Sequence, residues 1–215
     1  FVFLLVKTSK KDTKTLLALS MLLLLAAFQG SEYVLCKTTG NDEMWAQIGF
    51  VIITLLPPLG IHLVSAISGV KSLWSKVLIP LAYINGFVWS AIFGLGIQSF
   101  DDFGCADNYA IFNLSDNYAG HYQAYYYGWL FAGLFLASWL AKKAKKKDER
   151  SRLSWLMIGY LSFIIPTIVF QYAKPHISDA VPSVMCGFAL LFAFILVFKI
   201  IKPGKQKKRK KRSRK

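Results

Sequence analysis

The chain has 215 residues, 55% of them hydrophobic, and a formal net charge of +15. Together these figures exclude an ordinary soluble domain, which at this charge would be less apolar. They also exclude a nucleic-acid binder with its charge spread through the fold, because long uncharged stretches alternate here with short charged ones, the pattern of a polytopic membrane protein.

The chain opens on Phe1–Val6, FVFLLV, too short to span and read as the end of a helix whose remainder lies upstream. Six longer segments follow: Thr15–Leu35, Met44–Ile67, Leu73–Ile97, His121–Ala141, Ser154–Ala173 and Val181–Ile201. Each is long enough to cross ~30 Å of hydrocarbon as a helix. A secretory leader is the competing reading of the first of them. Its apolar stretch is long for that role, and AAFQG is a poor small-residue cleavage site.

Charge orients the segments. Lys7, Lys10, Lys11 and Lys14 precede the first, and Lys71 and Lys76 lie between the second and third. KKAKKKDERSR joins the fourth to the fifth, and KPGKQKKRKKRSRK follows the last. Of the 26 Lys and Arg residues only Lys37 and Lys174 fall on the opposite side, with every acid except Asp12, Asp148 and Glu149. The basic side is therefore expected to be cytoplasmic. The expected fold is all-α, a multi-pass bundle in the cell membrane over residues 1–201, followed by a polybasic cytoplasmic tail over 202–215. It has six full helices plus a truncated N-terminal one, seven in the intact protein, with the N-terminus outside and the C-terminus inside.

The second segment holds LLPPLGIHLV at 55–64. In hydrocarbon only helices carry such a sequence across, and prolines are tolerated where neighbouring helices cover the freed carbonyls. Pro57 and Pro58 are expected to kink this helix near its centre, and Pro166 the fifth. Gly60 leaves room for another backbone. His62 is either a functional polar group or a partner in an interhelical hydrogen bond. No second His, Cys or carboxylate is spaced to form a metal site with it.

On the third segment Gly86, Ser90 and Gly94 make a small-residue ridge suited to close packing, and Gly128 and Ala132 repeat it on the fourth. Asn85 sits near mid-membrane beside Tyr83 and Trp89. HYQAYYYGW at 121–129 puts Tyr122, Tyr125, Tyr126 and Trp129 on one helical stripe. An interfacial aromatic belt explains much of that stripe. A cavity opening outward is the sharper reading, lined by these rings with Glu32, Trp45, Gln47, Asn85, Trp89 and Gln171.

The loop at 98–120 is acidic and holds Cys105, while Cys36 lies just beyond the first full segment. Both fall on the expected oxidising face, so either a Cys36–Cys105 disulfide or two free thiols is open. Cys186, within the last segment, is expected to be a buried packing residue. Asn113-Leu114-Ser115 is a glycosylation sequon. In the tail, Lys205, Lys207, Lys208, Arg209, Lys210, Lys211 and Arg212 follow the last helix directly. They are expected to contact anionic lipid headgroups at ~1 kcal/mol per residue. No aromatics interleave with them to stack on bases, which disfavours nucleic acid.

The acidic residue in FQGSEYV, the central prolines of IGFVIITLLPPLGIHLVSAISG and the aromatic opening of the helix after the outer loop form a recognisable order of features. With the basic inner loop before SWLMIGYLSFIIP and the closing VPSVMCGFALLFAFILVFKI, that order resembles the seven-helix N-terminal sensory region of bacterial histidine kinases and some diguanylate cyclases. The likeness covers residues 1–201. It implies detection of a signal at the membrane and relay of a helix movement to a cytoplasmic output partner, and it suggests a homodimer. This sequence departs from the pattern in carrying no histidine-bearing dimerisation helix, ATP-binding glycine boxes or GGDEF-like stretch, so kinase activity is not expected of it.

The leading expectation is thus a non-enzymatic sensor or receptor-like module without a cofactor. A small transporter or channel is the alternative, against which the interior lacks paired charges and an obvious repeat. No G-x-S-x-G is present, and His62 has only Ser65 beside it as a nucleophile. Lys199 lies at a helix end rather than in mid-helix, where a retinal-binding pump needs its lysine.

Overall fold

The computed structural model describes residues 12–37, 42–69, 73–97, 100–106, 109–173 and 181–201. The Phe1–Val6 segment and the tail lysines and arginines from Lys205 to Arg212 lie outside the described residues. The elements are α1 (Thr13–Lys37), α2 (Asp42–Thr54), α3 (Leu56–Ser68), α4 (Leu73–Gly94), β1 (Phe100–Ala106), β2 (Tyr109–Leu114), α5 (Asp116–Lys143), α6 (Lys147–Ala173) and α7 (Val181–Ile195). A π-helical turn, Leu196–Ile201, continues α7.

Among the described residues five helical spans are long and apolar enough to cross a membrane: α1, α2 with α3, α4 from Ser75, α6, and α7 with its π turn. The remaining long helix, α5, has 28 residues. Four tyrosines between Tyr122 and Tyr127 lower its hydropathy without shortening it. The apolar side chains that face outward support the same environment. On α4, Val77, Leu81, Ile84, Phe87 and Val88 are all exposed. In water such a face would be an association site, whereas in lipid it is the surface a spanning helix presents.

The α2–α3 span is the centre of the bundle. It packs against α1, α4, α5 and α6, and 61% of its most apolar stretch is buried, against 17% for α4. Helices α6 and α7 form the most extensive pair, and α1 closes onto the π turn.

The proline pair lies at an interruption of the central span, where Leu55 keeps right-handed helical dihedrals. Helix α2 stops at Thr54, Leu55 forms a turn, and Pro57 and Pro58 fall in the first turn of α3. In that position their missing N–H groups remove nothing from α3 itself. They do leave carbonyls of α2 unmatched, and the carbonyl of Thr54 is recovered by the Tyr125 hydroxyl, which donates to it at 2.7 Å. Gly86 makes the approach of α4 feasible here. A Cβ at position 86 would lie 3.0 Å from Pro58 Cγ and 3.2 Å from Tyr125 Oη. Tyr125→Phe is expected to leave the Thr54 carbonyl without its donor and to lower stability by about 1 kcal/mol. Thermal unfolding in detergent measures this, and an unchanged midpoint would show that the carbonyl is matched in another way. Pro166 lies inside α6 and Pro80 inside α4.

The small-residue reading holds for α4, where a Cβ at position 86 would press on Pro58 and one at position 94 would meet Val51 Cγ2 at 3.7 Å. It is corrected on α5. Gly128 has open space around it, and the close approach is made at Gly133, which faces Tyr160. His62 Nδ1 lies 3.2 Å from the Tyr83 hydroxyl, so it forms the interhelical hydrogen bond between α3 and α4.

Within the segment treated above as a loop, residues 100–106 and 109–114 pair as an antiparallel hairpin, β1 with β2, with an irregularity between Phe100 and Asp102, and residues 116–120 already belong to α5. The hairpin adds a small sheet to the otherwise helical fold. The opposite, basic end is tied together by α6. Arg152 donates to Asp148 and to the carbonyl of Ile200 at 3.2 Å, and Lys199 lies over the Trp155 ring. A cation against the terminal carbonyls of a helix is favoured by the dipole there.

Candidate functional site

Three features fix the hairpin against the helices. Cys36, at the end of α1, is disulfide-bonded to Cys105 of β1, with Cα atoms 5.6 Å apart. The amide of Ala110 on β2 donates to Ser183 Oγ in the first turn of α7 at 3.2 Å. Phe100 and Phe112 meet Phe50 of α2 edge-on, at centroid separations of 5.0 and 5.2 Å. Phe50 is fully buried and is the hub of this aromatic cluster, touching Phe93 and Tyr122 as well.

Under the hairpin lies a cavity of about 80 Å³. Phe50 and Ile53 of α2 wall one side, and Phe112 and Leu114 of β2 form the roof. Helix α5 contributes Ala119, Tyr122, Gln123, Tyr126 and Tyr127, and α7 contributes Val181, Pro182 and Met185. Gln123 is exposed, whereas Tyr122 is only 4% exposed, so the cavity runs from a polar mouth to an aromatic floor. No lining residue carries a charge. A second, apolar cavity of about 30 Å³ lies further along the bundle and shares Tyr126 and Met185 with the first.

The polar groups of the first cavity are unequally engaged. The Tyr122 hydroxyl lies 3.0 Å from Thr54 Oγ1, and its ring is backed by Trp89 at 5.3 Å. The Tyr127 hydroxyl oxygen is buried without a hydrogen-bond partner.

Of the residues singled out from the sequence, Tyr122 and Tyr126 line this cavity. Tyr125 turns to the Thr54 carbonyl, and Trp89 stacks behind Tyr122 and Phe93. Gln47 donates to Glu43 and faces Gly96. Trp45 and Trp129 pack on the rim of the core. Asn85 and Gln171 are half-buried on α4 and α6 and are not part of the lining. Glu32 is 9% exposed. It accepts from Gln29 through Oε2 at 2.8 Å, its Oε1 has no partner, and the Ser183 hydroxyl lies beside it. It therefore belongs to the seam between α1, β2 and α7 rather than to the cavity wall.

Phe50, Phe112, Gln123, Tyr127 and Met185 were missed by the sequence reading. The signal for Tyr127 and Gln123 was their spacing from Ala119, i and i+4 twice over, which marks one ridge of α5. The described residues contain no group of three or more His, Cys, Asp or Glu side chains able to hold a metal ion. Comparison of the chain with protein-family models, with curated proteins and with solved structures returned no match.

Proposed function

We propose that this chain is a multi-pass protein of the cell membrane, basic side inward, that works as a receptor-like sensor. In this reading a small ligand enters the cavity under the hairpin from the outer face. The bundle then passes the change to a cytoplasmic partner. The observation that carries the reading is the cavity itself, roofed by a disulfide-anchored hairpin and walled partly by α7. That helix runs on to the basic end, where Arg152 and Trp155 of α6 grip its π turn. A ligand that displaces Met185 or Val181 would thus act on an element connected to both ends. The resemblance to kinase-linked sensory regions points the same way, as does an inner surface rich in lysine and arginine suited to anionic lipid.

Transport is the second reading. It is favoured by the second cavity, which shares Tyr126 and Met185 with the first, and disfavoured by that cavity's almost entirely apolar lining.

The test uses the full chain in lipid nanodiscs. Ala119→Trp places a ring in the cavity mouth, and hydrogen exchange reports the effect along the chain. The expected result is altered protection at residues 196–201, at the far end from the substitution. A change confined to the hairpin end would remove the relay and leave a binding module. Solute uptake into proteoliposomes, abolished by the same substitution, would favour transport.

A further inference from the structure

We propose that the π turn Leu196–Ile201 is a register switch. It passes between π and α winding, and so turns a shift of α7 into a rotation of the chain where it leaves the bundle at the basic end. The trigger rests on the receptor reading, whereas the two registers do not.

The buried side chains of the last span set the argument. Met185, Ala189, Phe192 and Leu196 succeed one another by four, three and four residues, a single stripe of a regular α-helix. The next residue on that stripe is Lys199, seven after Phe192. In the structure Lys199 is exposed, and Ile200, only 1% exposed, takes the inward position together with Val197. The π turn brings this about. Its i→i+5 bonds place more residues in each turn than an α-helix holds, so the stripe reaches the core one residue late. The stretch thus carries one residue more than α winding needs to bring the same isoleucine inward.

Both registers are open to this sequence. Three contacts hold π winding. Lys199 lies 4.3 Å over the Trp155 ring, Arg152 donates to the carbonyl of Ile200 at 3.2 Å, and Val197 packs on Leu19 of α1. Winding as α restores the i→i+4 ladder but turns Lys199 toward the bundle. A lysine at mid-membrane is costly, yet near a helix end its long stem carries the charge out to the interface. The penalty that favours π is therefore limited, and a contact elsewhere on α7 can choose between the two states. Val181, Pro182 and Met185 of that helix wall the cavity. Winding as α also lengthens the turn, because fewer residues share each revolution. Movement of α7 toward the outer face thus draws the turn into α and rotates the exit at Ile201 by one residue's arc, ~100°.

The experiment compares two deletions in the full chain, by thermal unfolding in detergent and hydrogen exchange in nanodiscs. Phe198 and Leu191 are equally exposed, at 54% and 55%, but only Phe198 lies in the π turn. Deleting Phe198 removes the surplus residue and should leave the unfolding midpoint within about 3 °C of wild type. Deleting Leu191 turns one half of α7 away from its contacts and should lower the midpoint by about 10 °C or more. Lys199→Leu lifts the penalty on α winding. It should change protection over residues 196–201 to the pattern of the Phe198-deleted chain, while Lys199→Arg keeps the wild-type pattern. Equal damage from the two deletions overturns the proposal, and so does a wild-type pattern in Lys199→Leu. Ala119→Trp in the Phe198-deleted chain should no longer alter this stretch, and if it still does, the turn is not the switch. If Ala119→Trp has no effect in the wild type either, the receptor reading fails at its trigger, and the two deletions with Lys199→Leu decide the registers by themselves.

Discussion

Alanine at position 60 is expected to destabilise the bundle by about 1–2 kcal/mol, and Tyr160→Phe in the same chain to recover most of that loss. Tyr160 of α6 is 2% exposed, and its hydroxyl sits in a slot made by two glycines, Gly60 of α3 and Gly133 of α5. A Cβ at position 60 would overlap that hydroxyl, while the ring carbon Cζ would stand off at 3.4 Å. At position 133 the corresponding separations are 3.0 and 3.3 Å. Overpacking of this kind costs ~1–3 kcal/mol, and the helix preference of alanine over glycine returns up to ~1 kcal/mol. Removing the tyrosine oxygen removes the colliding atom, so the two substitutions should couple. The measurement is a double-mutant cycle on thermal unfolding of the four proteins in detergent. Additive losses would mean that the slot is not what makes Gly60 necessary.

Replacing Cys105 by serine is expected to have the largest effect on stability. The bond joins residues 69 apart in sequence. On the loop-entropy view a closure of that length stabilises by ~4 kcal/mol, and removal of native disulfides costs ~2–5 kcal/mol. Cys36→Ser should give the same loss, the double variant no more than either alone, and reduced wild type should behave like the variants. Tight agreement among these four would assign the loss to the bond rather than to the serine. An unfolding midpoint indifferent to reductant, with both thiols open to labelling, would show that the two cysteines are not joined.

Apolar runs announce spanning helices because length and hydropathy are properties of the segment itself. The last span, Val181–Ile201, is accordingly helical throughout. Others were read too short. Helix α6 begins at Lys147, since charged residues continue a helix well and Asp148 and Glu149 suit its first turn. The hairpin was missed because its strands are brief and mixed. Ala110, Phe112 and Leu114 do alternate, but Asp101, Asp102 and Gly104 obscure the partner strand. The site was only half legible for a different reason. A stripe of Tyr122, Tyr125, Tyr126 and Trp129 states which side chains share a helix face, not which neighbour that face meets. The interrupted helix at Thr54 captured Tyr125, and the hairpin roof drew Tyr126 and Tyr127 into the cavity instead. Phe112 and Met185 come from elements whose placement depends on tertiary packing, and no local pattern records it.

The Cys36–Cys105 bond also has a meaning for the order in which the molecule can be built. Together with the chain between its ends it forms a covalent ring that contains α2, α3 and α4 entire. Synthesis runs from the N-terminus, so both cysteines have been made before any of β2, α5, α6 or α7 exists. The ring can close around an unfinished protein, and the C-terminal half then arrives against a partner that is already tethered. Phe50 and Ile53 stand on the ring, whereas Phe112, Tyr122, Tyr126, Tyr127 and Met185 come with the later half. The cavity is therefore a seam between an early and a late assembly, and it comes into being when the last helix docks.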